Sequence, residues 1–148
     1  MATIVVGVDG SDGAQEALRV AVQEARLRGA GLRAVTAWHM PAMAYGAGGV
    51  AFSPGIDQGD FKDSASAALE TALAALGGQA HGVQVERIVR MGQPALVLLE
   101  EARGADLLVV GSRGHGGFAG LLLGSVSHQC ALHAACPIVI VHESTRAA

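Results

Sequence analysis

Leu107-Leu108-Val109-Val110-Gly111-Ser112-Arg113-Gly114, taken up again at Gly124-Ser125, places a glycine pattern directly behind an apolar run. A short apolar run bounded by turn residues reads as a strand buried on both faces. The glycines follow a G-x2-G-x9-G-S spacing. The layout is therefore a strand, a glycine-rich loop, and a helix opening at Ser125. A helix N-terminus presents unpaired N–H groups and the positive end of its dipole. Glycines let a backbone approach an anion closely and adopt φ > 0. Together these features predict a phosphate site.

Working outward, Thr3 to Val8 reads as a buried strand ending at Asp9. Gly10-Ser11-Asp12-Gly13 is a turn, with Ser11 or Asp12 as candidate N-cap. Ala14, Ala17, Leu18, Ala21, Val22 and Ala25 then fall on one helical face, and Gly29 and Gly31 stop the helix. Leu32 to Trp38 is a second strand. His39 to Gly59 is a long loop rich in Gly, Met and Pro; such loops are either functional or disordered, and this one leaves from the sheet end where a lid would act. Asp60 to Leu76 is a second helix, with Phe61, Ala65, Leu69, Ala72 and Leu76 facing inward. Val83 to Val89 alternates and reads as a half-exposed edge strand. Gln93 to Arg103 is a third helix with Pro94 in its first turn. Ser125 to His133 is the fourth helix, Ile138 to His142 the last strand, and Glu143 to Ala148 a polar tail.

Strict alternation of strands and helices predicts an α/β fold: a single domain over residues 1–148, with a five-stranded parallel sheet and helices on both faces. The first and fourth strands are the most uniformly apolar and belong in the centre, while the third belongs at an edge. Right-handed crossovers then give the strand order 3-2-1-4-5. The direction of winding reverses between strands one and four, and ligands of such sheets bind in the crevice that opens there. Asp9 and Gly111 end those two strands.

The last strand also sits at an edge, yet Ile138, Val139, Ile140 and Val141 are apolar on both faces. A bare apolar edge invites pairing with another chain, so a homodimer through this strand is expected; the alternative is a tail that covers it.

Composition narrows the function. The chain has 148 residues, 51% hydrophobic and 16% charged, which argues for a packed core and against disorder. No apolar run approaches the length of a bilayer span, and no basic region precedes the first strand, so a cytoplasmic location without membrane contact is expected. The net charge is −3 and Lys62 is the sole lysine, which argues against a nucleic-acid surface. Cys130 and Cys136 read as reduced and buried. His128 and His133 do not share a helix face, and no ligand set of usable spacing surrounds Cys130, so no metal bound by protein side chains is expected.

The chain resembles the ATP-binding subgroup of the universal stress protein family. The likeness runs over nearly the whole length: Val6-Gly7-Val8-Asp9-Gly10-Ser11 at the start, Leu107 to Gly114 late, and Cys136-Pro137-Ile138-Val139-Ile140-Val141 at the end, with the family's G-x2-G-x9-G-[ST] motif intact. The resemblance implies an adenine nucleotide α-hydrolase-like fold and an adenine nucleotide, ATP, as ligand, with any Mg²⁺ arriving on its phosphates. It implies that Asp9 bonds the ribose hydroxyls and that Val8, Ala37 and Val110 lie against the base. Gly111 would pass close to the ribose, and Arg113 and Gly114 would lie along the phosphates. Gly124, Ser125, Val126 and Ser127 would cradle the β- and γ-phosphates through N–H groups and two hydroxyls. Plainer roles stand beside these: Asp9 or Ser125 as an N-cap, Arg113 as a solvated charge, and Gly116, Gly117 and Gly120 as loop residues only.

Rival motifs fail. There is no G-K-[ST] of a Walker loop. Gly114 to Ala119 matches G-x-G-x-x-A by letters but follows the fourth strand rather than the first. Arg90 and His142 stand where a phosphoacceptor signalling domain of this topology needs an acid and a lysine. The expected function is an ATP-binding regulator of a stress response, with binding itself as the act. A slow ATPase or phosphotransferase is the second reading, with His115 and His128 as the nearby bases and Arg113 as the one Arg in the loop. A nucleotide-free dimeric interaction module is the third.

Overall fold

The computed structural model describes residues 2–39, 58–114 and 123–143. The body of the long loop (residues 40–57), the spacer carrying His115, Gly116, Gly117 and Gly120, and the tail beyond Glu143 lie outside them. Among the described residues the elements run β1 (Thr3–Gly7), α1 (Asp12–Arg28), β2 (Gly31–Trp38), α2 (Gln58–Ala74), a short 3₁₀ turn (Gly77–Ala80), β3 (Val85–Met91), α3 (Pro94–Glu101), β4 (Leu107–Gly111), α4 (Ser125–His133) and β5 (Ile138–Val141).

The five strands form one parallel sheet in the order β3-β2-β1-β4-β5, as the apolar runs predict. Alternation along each strand divides the core. Ile4, Val6, Leu32, Ala34, Leu107 and Val109 pack with α1 and α2 on one face. Val5, Val35, Leu108 and Val110 pack with α3 and with Cys130 of α4 on the other.

Helix α1 starts where its turn chemistry directs. Ser11 is the N-cap, and its hydroxyl accepts from the Ala14 N–H at 3.2 Å. The six apolar residues expected on its inner face are all buried. Gly29 ends it in the left-handed conformation (φ 62°), donating to the carbonyls of Ala25 and Arg26.

The two sheet edges differ in chemistry. On β3, Arg87 pairs with Glu70, and Arg90 pairs with Glu100 and Glu101. Charges of this kind protect an edge from pairing with other chains. On β5, four half-buried aliphatic residues carry no charge.

Candidate functional site

Sheet topology opens a crevice between β1 and β4 at the carboxyl ends of the strands. A cavity of about 460 Å³ lies there. Val8, Asp9, Ala37, Val110, Gly111, Arg113, Gly114, Gly124, Ser125, Val126 and Ser127 all line it. The structure thus brings together every residue expected at the nucleotide, from β2, from β4, from the exits of β1 and β4, and from the start of α4.

The lining is graded. Val8, Val35, Ala37, Pro94, Leu98, Val110 and Val126 supply apolar surface. Helix α3 comes close because β1 ends in glycine: a Cβ on Gly7 would stand 2.9 Å from Leu98 Cδ1. Asp9 and Arg113 supply the opposite charges, and Arg113 makes no ion pair with a described residue.

The Asp9 carboxylate is held in place. Its Oδ1 accepts from the Ser11 N–H at 2.9 Å and from the Ser11 hydroxyl at 2.5 Å. Capping of α1 falls to Ser11, so Asp9 is not the cap. Its Oδ2 points at the glycine loop: a Cβ on Gly114 would lie 2.5 Å from it.

The two halves of the glycine motif are tied through one carbonyl. Ser112 is buried, and its carbonyl accepts from the Gly124 N–H at 2.6 Å and from the Ser127 hydroxyl at 2.8 Å. The exit of β4 is thereby fastened to the start of α4. Gly124 is the N-cap of α4 and brings no capping side chain, so Ser125 is not a cap. The first-turn N–H groups of Ser125, Val126 and Ser127 have no acceptor within the helix. Donors of this kind at the positive end of a helix, beside an arginine, favour an anion.

Two features differ from expectation. Gly111, Gly114 and Gly124 have no positive φ, so these glycines provide space rather than left-handed turns. The proton of the Ser127 hydroxyl goes to backbone carbonyls, which leaves Ser125, exposed at the helix start, as the α4 first-turn hydroxyl without a hydrogen-bond partner among the described residues.

Sequence reasoning missed Gly7, Ser11, Ala14, Val35, His39, Pro94 and Leu98, all of which line the cavity. Val35 and His39 share the strand face of Ala37 by period two and were readable from it. Pro94 and Leu98 form one i, i+4 pair on α3, but nothing local says that this face meets β1.

Comparison with known proteins adds the relationship. The model of the family described as "Universal stress protein family" matches residues 1–142. The universal stress protein Rv2623 of Mycobacterium tuberculosis (strain H37Rv) is 37% identical over 143 residues, which is 97% of this chain and 46% of that protein. The chain thus spans about half the length of the curated relatives it matches. A universal stress protein solved in complex with cAMP is 30% identical, with a TM-score of 0.72, covering 97% of this chain and 98% of that one. A universal stress protein from Archaeoglobus fulgidus in complex with dAMP is 25% identical, with a TM-score of 0.56, covering 95% and 98%.

Proposed function

The chain belongs to the universal stress protein family, and we propose that it binds ATP and acts as a nucleotide-dependent regulator in a stress response. The observation that carries this reading is the cavity itself. An apolar slot, a fixed carboxylate, an arginine without an ion pair among the described residues and a helix N-terminus without a side-chain cap all line it.

The base lies in the apolar slot near Val8, Ala37 and Val110, where ring burial is favourable. The ribose hydroxyls donate to Asp9 as charge-assisted bonds. The phosphates run along Gly111, Arg113 and Gly114, past Gly124, to the N–H groups of Ser125, Val126 and Ser127, with the Ser125 hydroxyl beside them. Mg²⁺ travels with the phosphates, whose oxygens and water supply its ligands. Related proteins solved with cAMP and dAMP support the adenine nucleotide.

The titratable side chains among the described lining residues are Asp9, His39 and Arg113. Efficient phosphoryl transfer depends on several positioned groups at the γ-phosphate, so binding rather than turnover is the proposed act. The protein works in the cytoplasm as a homodimer joined along β5, whose aliphatic edge contrasts with the charged β3 edge. Calorimetric titration of nucleotide-free protein with ATP, ADP, AMP and cAMP tests the reading. Saturable heat with ATP at one site per chain is expected. A folded protein giving no heat with any of them would favour a nucleotide-free interaction module.

A further inference from the structure

Gly13 is buried in the first turn of α1, and its backbone is not in the left-handed region. No turn or cap geometry therefore calls for glycine there, and alanine is the better helix former. The reason lies in contact. A Cβ on Gly13 would lie 2.7 Å from the carbonyl oxygen of Arg113 and 3.4 Å from Oε1 of Glu143. From the other side, a Cβ on Gly111 would lie 2.8 Å from the carbonyl carbon of Gly13 and 2.9 Å from its oxygen. Two glycines thus let the start of α1 meet the exit of β4, Gly111 against the Gly13 backbone and Gly13 against the Arg113 carbonyl, and the nearest atom on each side is backbone. No side-chain end can swing away to make room.

Gly13 does not line the cavity, whereas Gly111, Arg113 and Gly114 do. It touches the glycine loop from behind. We infer that Gly13 is a positioning residue for the phosphate end of the site: its missing Cβ sets where the Arg113 backbone runs. This rests on the nucleotide reading given above. A displaced Arg113 carries the effect further. A Cβ on Gly124 would lie only 3.3 Å from Arg113 Cα, and the neighbouring Ser112 carbonyl holds both Gly124 and Ser127. The loop and the start of α4 move together. The wall of the apolar slot built by Ala37 from β2 and by Pro94 and Leu98 from α3 is not part of that chain of contacts.

The consequence is selective. Gly13→Ala weakens ATP and inorganic tripolyphosphate by a similar factor, roughly tenfold or more, the size of one lost charge-assisted hydrogen bond. Adenosine binding stays unchanged. The test is calorimetry of the wild type and the variant with these three ligands, beside a thermal melt to establish folding. Equal ATP affinity in a folded variant overturns the inference and leaves the nucleotide reading intact. Equal weakening of all three ligands also overturns it, because the whole cavity would then have changed. A wild type that binds neither ATP nor tripolyphosphate overturns both readings. Should the variant not fold, the wild-type Gly13 amide resonance decides: it shifts on saturation with tripolyphosphate, and an unmoved resonance overturns the inference.

Discussion

Gly114→Val probes the contact between the glycine loop and the Asp9 carboxylate. A Cβ at that position would stand 2.5 Å from Asp9 Oδ2. That is about 0.8 Å inside the ~3.3 Å at which carbon and oxygen ordinarily meet. The carboxylate is not free to turn, because Oδ1 holds both the N–H and the hydroxyl of Ser11. That hydroxyl in turn caps α1 through the Ala14 N–H. Either the loop swings outward or Asp9 gives up its bonds to Ser11, and each course separates the proposed ribose and phosphate contacts. Losing one hydrogen bond to a charged group costs about 2 kcal/mol, or roughly 30-fold in affinity. The two further methyl groups of valine extend toward the same cavity, so this figure is a lower bound. Folding should change little, since Gly114 is exposed and has no positive φ; a loss under about 1 kcal/mol is expected. Calorimetry with ATP gives the affinity, and a thermal melt gives the stability. A folded variant within about twofold of wild-type affinity would refute the reasoning.

Other expectations follow from single groups. Ser11→Ala removes the cap of α1 and a partner of Asp9, so denaturant unfolding should show a loss of about 1 kcal/mol together with weaker ATP binding. The Thr36 hydroxyl is buried without a hydrogen-bond partner among the described residues, so Thr36→Val should raise the melting temperature by roughly 2–4 °C; a fall would mean that the hydroxyl is satisfied. Burial pushes the Cys130 thiol up to about 11, and burial, then the charge of Asp106, pushes Cys136 upward too. Both stay protonated below their raised pKa values, so iodoacetamide should label the folded protein slowly at about pH 8 and faster as pH rises or the chain unfolds. Val139→Lys places a charge in the middle of the β5 edge and should give a monomer by sedimentation; an unchanged dimer would place the interface elsewhere.

The fold was legible because its signals are local and repeated. Val5, Val6 and Leu107 to Val110 are apolar without interruption, and they occupy the centre of the sheet. The helical period of α1 named its buried face residue by residue. Strand limits were less legible. Val83 and Val85 alternate with polar neighbours in the same way, and only the pairing of Leu32 with Val85 through Trp38 with Met91 shows that β3 starts two residues later than alternation suggests. Likewise α2 opens at Gln58, ahead of the expected Asp60, and ends at Ala74.

The candidate site was half legible. Motif spacing pointed to Gly111, Gly114 and Gly124, but spacing cannot say whether a glycine serves a turn or a close contact. Here the three-dimensional neighbours decide, with Asp9 against Gly114 and Gly13 against Gly111. Leu98 and Pro94 enter the cavity only because α3 packs on β1, a contact distant in sequence. Ser11 was visible as a cap, yet its grip on Asp9 depends on the path of the turn between them.

A crystal structure grown with ATP and Mg²⁺ would bear on the proposed function at every point. The nucleotide should lie across the ends of β1 and β4, its ribose on Asp9 and its phosphates between Gly111–Gly114 and the first turn of α4. An empty cavity at saturating ATP, or a nucleotide bound elsewhere on the protein, would contradict it.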